Sequence, residues 1–159
     1  MVDPSIALAA LLVLAGPAGA VPPRCAGKLS GAAQGVFECA VSVRSGEEGQ
    51  ALFVIEARAP IPGIPAYAPG SFEIPLPVEA KTYTLESLGQ GVASVAAEGG
   101  TLYTAAKTFG RRGEVEVVLT TVKADPATKD AWEVHGSYRA RLLPVGSGKR
   151  GEVVVEVTF

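Results

Sequence analysis

From residue 36 onward the chain alternates apolar and polar side chains with a period of two, and that rhythm excludes most folds at once. "VFECAVSVR" (36–44) sets Phe37, Cys39, Val41 and Val43 on one face, with Glu38, Ser42 and Arg44 on the other. Successive side chains of an extended strand point to opposite faces, so the segment reads as a half-buried strand. "ALFVIEAR" (51–58) repeats the pattern, and "GEVEVVLTTVKA" (113–124) sets Val115, Val117 and Leu119 against Glu114 and Glu116. "AWEVHGSYRARLLPV" (131–145) and "EVVVEVTF" (152–159) follow. Between them, "SFEIPLPV" (71–78), "KTYTLESL" (81–88), "GVASVAAE" (91–98) and "TLYTAAKTF" (101–109) read as shorter strands broken by Gly or Pro. Alanine favours helix in 92–98, but the flanking glycines and the brevity of the run favour strand. Nineteen glycines and twelve prolines supply turns without reaching a disordered composition. The fold class expected is all-β: an antiparallel β-sandwich, or flattened barrel, of about 8–10 short strands.

The last two strands fix a register. If the turn between them centres on Ser147 and Gly148, Leu142 faces Val153, Ala140 faces Val155 and Tyr138 faces Val157. Arg139 then lies opposite Glu156 on the other face, and Phe159 falls over Gly136. A slip by one residue would set Arg139 and Arg141 against inward valines, so the pattern specifies the pairing. "RRGEVEVV" (111–118) and "KRGEVVVE" (149–156) echo each other, which two hairpin exits with polar turns and β-branched strands explain without a repeat array.

Ile6 to Ala15 is an unbroken apolar run of ten, followed by Pro17 and the small residues Ala18 to Ala20. A bilayer span needs about 20 apolar residues, so this reads as an export signal over residues 1–20. Cleavage would leave a single domain, 21–159, with no stable membrane span. The n-region departs from the usual pattern, having Asp3 and no Lys or Arg. An exported chain, secreted or periplasmic, oxidises its thiols. Cys25 and Cys39, the only two cysteines, are therefore expected to form a disulfide. "VPPR" before Cys25 lacks the small residues of a lipid-attachment site.

Chemistry is sparse. The one histidine, His135, shares a strand face with Glu133, Ser137 and Arg139. Residues two apart on a strand are about 7 Å apart, too far for a Ser–His hydrogen bond. No nucleophile elbow, phosphate loop or metal-ligand motif occurs. Asp125 and Asp130 in "DPATKD" are ordinary turn residues. No catalytic residue, metal or cofactor is assigned. A net charge of −2 and few aromatics give no basis for nucleic-acid binding.

Two features could bind a partner. One is a basic set: Arg111, Arg112, Lys149 and Arg150 in turns, with Arg139 and Arg141 on one strand face. It would suit an anionic glycan or lipid group. The other is "APIPGIPAYAPG" (59–70), a proline-rich loop whose Ile61, Ile64 and Tyr67 either close one end of the fold or face a partner. The expectation is an exported, non-catalytic protein that acts by binding a protein or anionic glycan partner at the cell envelope or outside the cell. The alternatives are a small secreted hydrolase with a site around His135, and a structural subunit joining copies through edge strands. Ligand and oligomeric state are not readable.

Overall fold

The computed structural model describes residues 24–107, 111–146 and 148–159. The leader expected at 1–20 and the turn centre at Ser147 lie outside these residues. Ten antiparallel strands make up the fold: β1 (Arg24–Gly31), β2 (Gly35–Ser45), β3 (Gln50–Ala57), β4 (Ala66–Pro75), β5 (Thr82–Thr84), β6 (Gly91–Ala96), β7 (Leu102–Ala106), β8 (Glu114–Ala124), β9 (Ala131–Pro144) and β10 (Val153–Thr158). Segment 91–98, where alanine competed for helix, is strand β6.

The order β10-β1-β2-β3-β4-β6-β7-β9, with β9 returning to β10, closes a barrel of eight strands. Strand β9 makes this closure through a change of partner along each edge. On one edge it pairs with β10 over Ser137–Leu142 and then directly with β2, Trp132 opposite Val43. On the other it pairs with β8 over Trp132–Arg141 and then with β7, Thr104 opposite Leu143. Strand β8 lies outside the ring and carries the short β5 on its far edge.

The hairpin register read from the sequence is the one found: Leu142 opposite Val153, Ala140 opposite Val155, Arg139 opposite Glu156 and Tyr138 opposite Val157. Phe159 and Gly136 exchange backbone hydrogen bonds as expected. The need for glycine at 136 has a different source. A Cβ there would lie 1.8 Å from the Val118 carbonyl oxygen, because β8 bulges between Leu119 and Thr121. Gly113 (φ +70°) and Gly151 (φ +90°) open the two echoed segments in left-handed conformations. The echo thus marks two similar entries into strands that flank β9.

Two elements differ from the sequence expectation. Strand β1 was not foreseen, because "RCAGKLSG" lacks the apolar alternation of its neighbours. Its inward series is Cys25, Gly27 and Leu29, and the Phe37 ring of β2 occupies the space of the side chain that Gly27 lacks. Strand β4 begins at Ala66, inside the segment expected to be loop through Gly70. Pro69 is accommodated at an irregularity between Ala68 and Ser71, where a missing donor is tolerated.

The buried side chains form one packed core. Phe53, Phe72, Ile74, Tyr83, Leu85, Leu88, Tyr138 and Leu142 are all buried. Phe53 sits between Phe159 and Tyr138, with ring centroids 5.8 and 6.1 Å away. The Tyr138 hydroxyl donates across the interior to the Pro69 carbonyl at 2.7 Å, and its burial pushes the phenol pKa up. Trp132 packs half-buried at the margin of the core. Cys25 and Cys39 face each other across β1 and β2 with Cα atoms 4.8 Å apart, and they form the disulfide. The bond is buried next to the Ala26–Thr158 end of the β1–β10 pairing, before β2 reaches β9 at Val43.

Candidate functional site

Because the interior is packed, anything the barrel binds must meet its outside or its ends. The outward residues of β8, β9, β10 and β1 form a charged row. Glu116 is opposite Arg139, Arg139 opposite Glu156, and Glu156 opposite Lys28. The signs alternate across four neighbouring strands. A groove of roughly 740 Å³ runs over this row, lined among others by Lys28, Val36, Glu38, Glu116, Arg139 and Glu156. Val36 at its border is 77% exposed. A second recess of roughly 290 Å³ shares Glu116 and Arg139 and continues to Glu86, Arg111, Glu114 and Arg141.

The basic residues singled out in the sequence are mostly engaged by carboxylates or carbonyls. Arg139 Nε lies 3.4 Å from Glu156 Oε1, and Arg111 Nη2 lies 2.6 Å from Glu86 Oε1. Arg141 donates to Glu152, with Glu114 at 3.8 Å, and this hydrogen bond to the Glu152 carboxylate holds the guanidinium above its ordinary pKa. Arg112 donates to the Pro144 carbonyl. Lys149 and Arg150 stand exposed in the β9–β10 turn. Each strand arginine has acidic neighbours, so this wall presents alternating charge in place of a cationic field.

The proline-rich segment divides its three apolar residues between two roles. Ile61 is 5% exposed and packs into the space above Gly35 and against the core. It is therefore part of the barrel's closure and not a surface contact. Ile64 and Tyr67 pack half-buried against the core. The Tyr67 hydroxyl donates to the Ala59 carbonyl, and its ring meets Phe37 edge-on at 5.3 Å. With Arg58, Pro60 and Pro65 they line a shallow cup of roughly 370 Å³ between the end of β3 and the start of β4.

His135 is exposed on β9, with Nε2 3.4 Å from Glu133 Oε1. Its neighbour across the strand pair is Thr121, while Glu116 pairs farther along with Arg139. Asp125 Oδ1 accepts the Ala127 N–H at 2.8 Å, which closes a local turn. Among the described residues no cluster of His, Cys, Asp or Glu has the arrangement of a metal site. Nor is any helix among them long and apolar enough to cross a membrane.

The sequence missed the charged row as a unit. Arg139 and Glu156 were paired correctly, but Glu116 and Lys28 join them only through β8 and the unforeseen β1. Compared with known protein families, with curated proteins and with solved structures, the chain matches none.

Proposed function

We propose that this is an exported, non-catalytic barrel that works by binding, at the cell envelope or outside the cell, with the 58–67 cup as its contact surface. The observation that carries this reading is the division of labour within the proline-rich loop. Ile61 anchors the loop in the core, while Ile64, Tyr67 and two prolines, Pro60 and Pro65, line an apolar recess beside Arg58. A loop already fixed by its own anchor loses little entropy when a partner docks. An apolar recess with one cation at its lip suits a protein segment carrying an apolar side chain next to a carboxylate. Export is supported by the leader sequence and by the buried disulfide, a bond that persists in oxidising compartments.

The test is affinity capture from envelope extract, comparing wild-type protein with Ile64→Ser and Arg58→Glu. Ile61 stays untouched, because replacing it would open the core. Loss of the captured partner in both variants, with circular dichroism unchanged, is expected. Undiminished capture by both would reject the cup as the contact surface.

A further inference from the structure

The charged wall has a property that a solvated ladder does not need. Read from β5 to β2, its central row is Thr84, Glu116, Arg139, Glu156, Lys28 and Val36, each in register with the next. The row on one side of it reads Thr82, Val118, Ser137, Thr158, Ala26 and Glu38, while the row on the other side, Glu114, Arg141, Val154 and Ser30, is not self-complementary. Reversed, the central row sets Val36 against Thr84, Lys28 against Glu116, and Glu156 against Arg139. The second row sets Glu38 against Thr82, Ala26 against Val118, and Thr158 against Ser137. In the central row every acid meets a base; in the second row hydroxyl meets hydroxyl and apolar meets apolar, while Glu38 meets Thr82.

Such a reversal is what a two-fold axis does when it runs parallel to the strands, in the plane of contact, midway between β9 and β10. An isologous contact must be complementary to itself under one such operation. A two-fold axis along the row would instead set each charge on its own copy, like against like. A partner of uniform charge would attract half the row and be repelled by the other half. The row is centred on its six strands, and its charged part extends about 14 Å at ordinary strand spacing. Glu116, Arg139, Glu156 and Lys28 are all exposed.

We propose that this wall is a homodimer interface, with Lys28 of one copy facing Glu116 of the other and Arg139 facing Glu156. The operation keeps the strand direction of both copies, so the two 58–67 cups point to the same side and the dimer presents them together. The patch is small and bound largely by charge, so association depends on concentration and weakens with salt.

Sedimentation velocity of the oxidised protein from micromolar to submillimolar concentration, at low and high salt, reads this directly. Two double variants of unchanged net charge separate symmetry from ordinary pairing. Arg139→Glu/Glu156→Arg reads −−++ along the row and remains self-complementary under the two-fold. Glu116→Arg/Arg139→Glu reads +−−+ and sets like on like; within its own chain it keeps opposite signs at 116/139 and 28/156 but loses the Arg139–Glu156 pair. Circular dichroism checks that both fold. The expected result is a salt-sensitive dimer for wild type and the first variant, with dimerisation of the second weakened by more than about tenfold. A wild-type protein that stays monomeric throughout, loss of the dimer in both variants, or a dimer indifferent to the second would overturn the proposal.

Discussion

The barrel has two walls built from the same inward pattern and opposite outward ones. On β3, β4, β6 and β7 the outward row Val54, Ser71, Val92 and Ala106 is in register and carries no charge. Glu73 is the only charged outward residue on β4, β6 and β7. On β8, β9, β10 and β1 the corresponding row is Glu116, Arg139, Glu156 and Lys28. Inside, both walls are lined by fully buried side chains, Phe72 and Ala93 on one and Leu142 and Val155 on the other. The interior decides that the chain folds. The exteriors differ, and only the second of these rows alternates in sign.

If the interiors are equivalent, damage to either should unfold the protein. Phe72→Ala and Leu142→Ala are each expected to lower stability by about 3–5 kcal/mol in chemical denaturation. A small loss on one side only would mean that this wall is loosely packed. The walls differ in their fastening, since the disulfide ties β1 to β2 and no disulfide joins β4, β6 and β7. Cys25→Ala/Cys39→Ala is expected to cost about 3 kcal/mol in the chain-entropy account of a loop this long. Hydrogen exchange should accelerate first in β1 and β10, leaving β4 and β6 protected.

Tyr138 ties the walls together through Pro69, and it gives the pH dependence a definite sign. The unfolded phenol ionises near pH 10, whereas burial keeps the folded one neutral to higher pH. The folded pKa is raised, so this contribution is complete below about pH 10 and is lost as pH rises beyond it. Tyr138→Phe should flatten that alkaline limb while costing about 1–3 kcal/mol at neutral pH, because the Pro69 carbonyl loses its donor. An unchanged limb would place the alkaline loss elsewhere. The smallest effects belong outside. Arg139→Ala and Ser71→Ala should each change monomer stability by less than about 1 kcal/mol, and only the former should alter self-association in sedimentation.

Legibility in the sequence followed how much of each contact lay within one segment. The β9–β10 hairpin was readable to the residue, because its alternation and its turn are contiguous and a slipped register is penalised at every pair. Strand β1 was not readable, since the group that fills its inner face at Gly27 is the ring of Phe37 on another strand. The strand character of 66–70 was hidden by Pro69, whose carbonyl is satisfied by a tyrosine 69 residues away. Barrel closure depends on β2 and β9 changing partners midway, which no periodicity records. The same holds for the exterior. Arg139 and Glu156 were paired from sequence, but the four-charge row needs two strands that sequence could not place beside them.

Closure at the two points where the walls meet is the claim on which the rest depends, and cross-strand NOEs test it most directly. In isotopically labelled protein, contacts between Val43 and Trp132 and between Thr104 and Leu143 should both be present, alongside those of the β9–β10 hairpin. Observing the hairpin contacts while Thr104 and Leu143 give none would mean an open sheet, and would contradict the closed barrel.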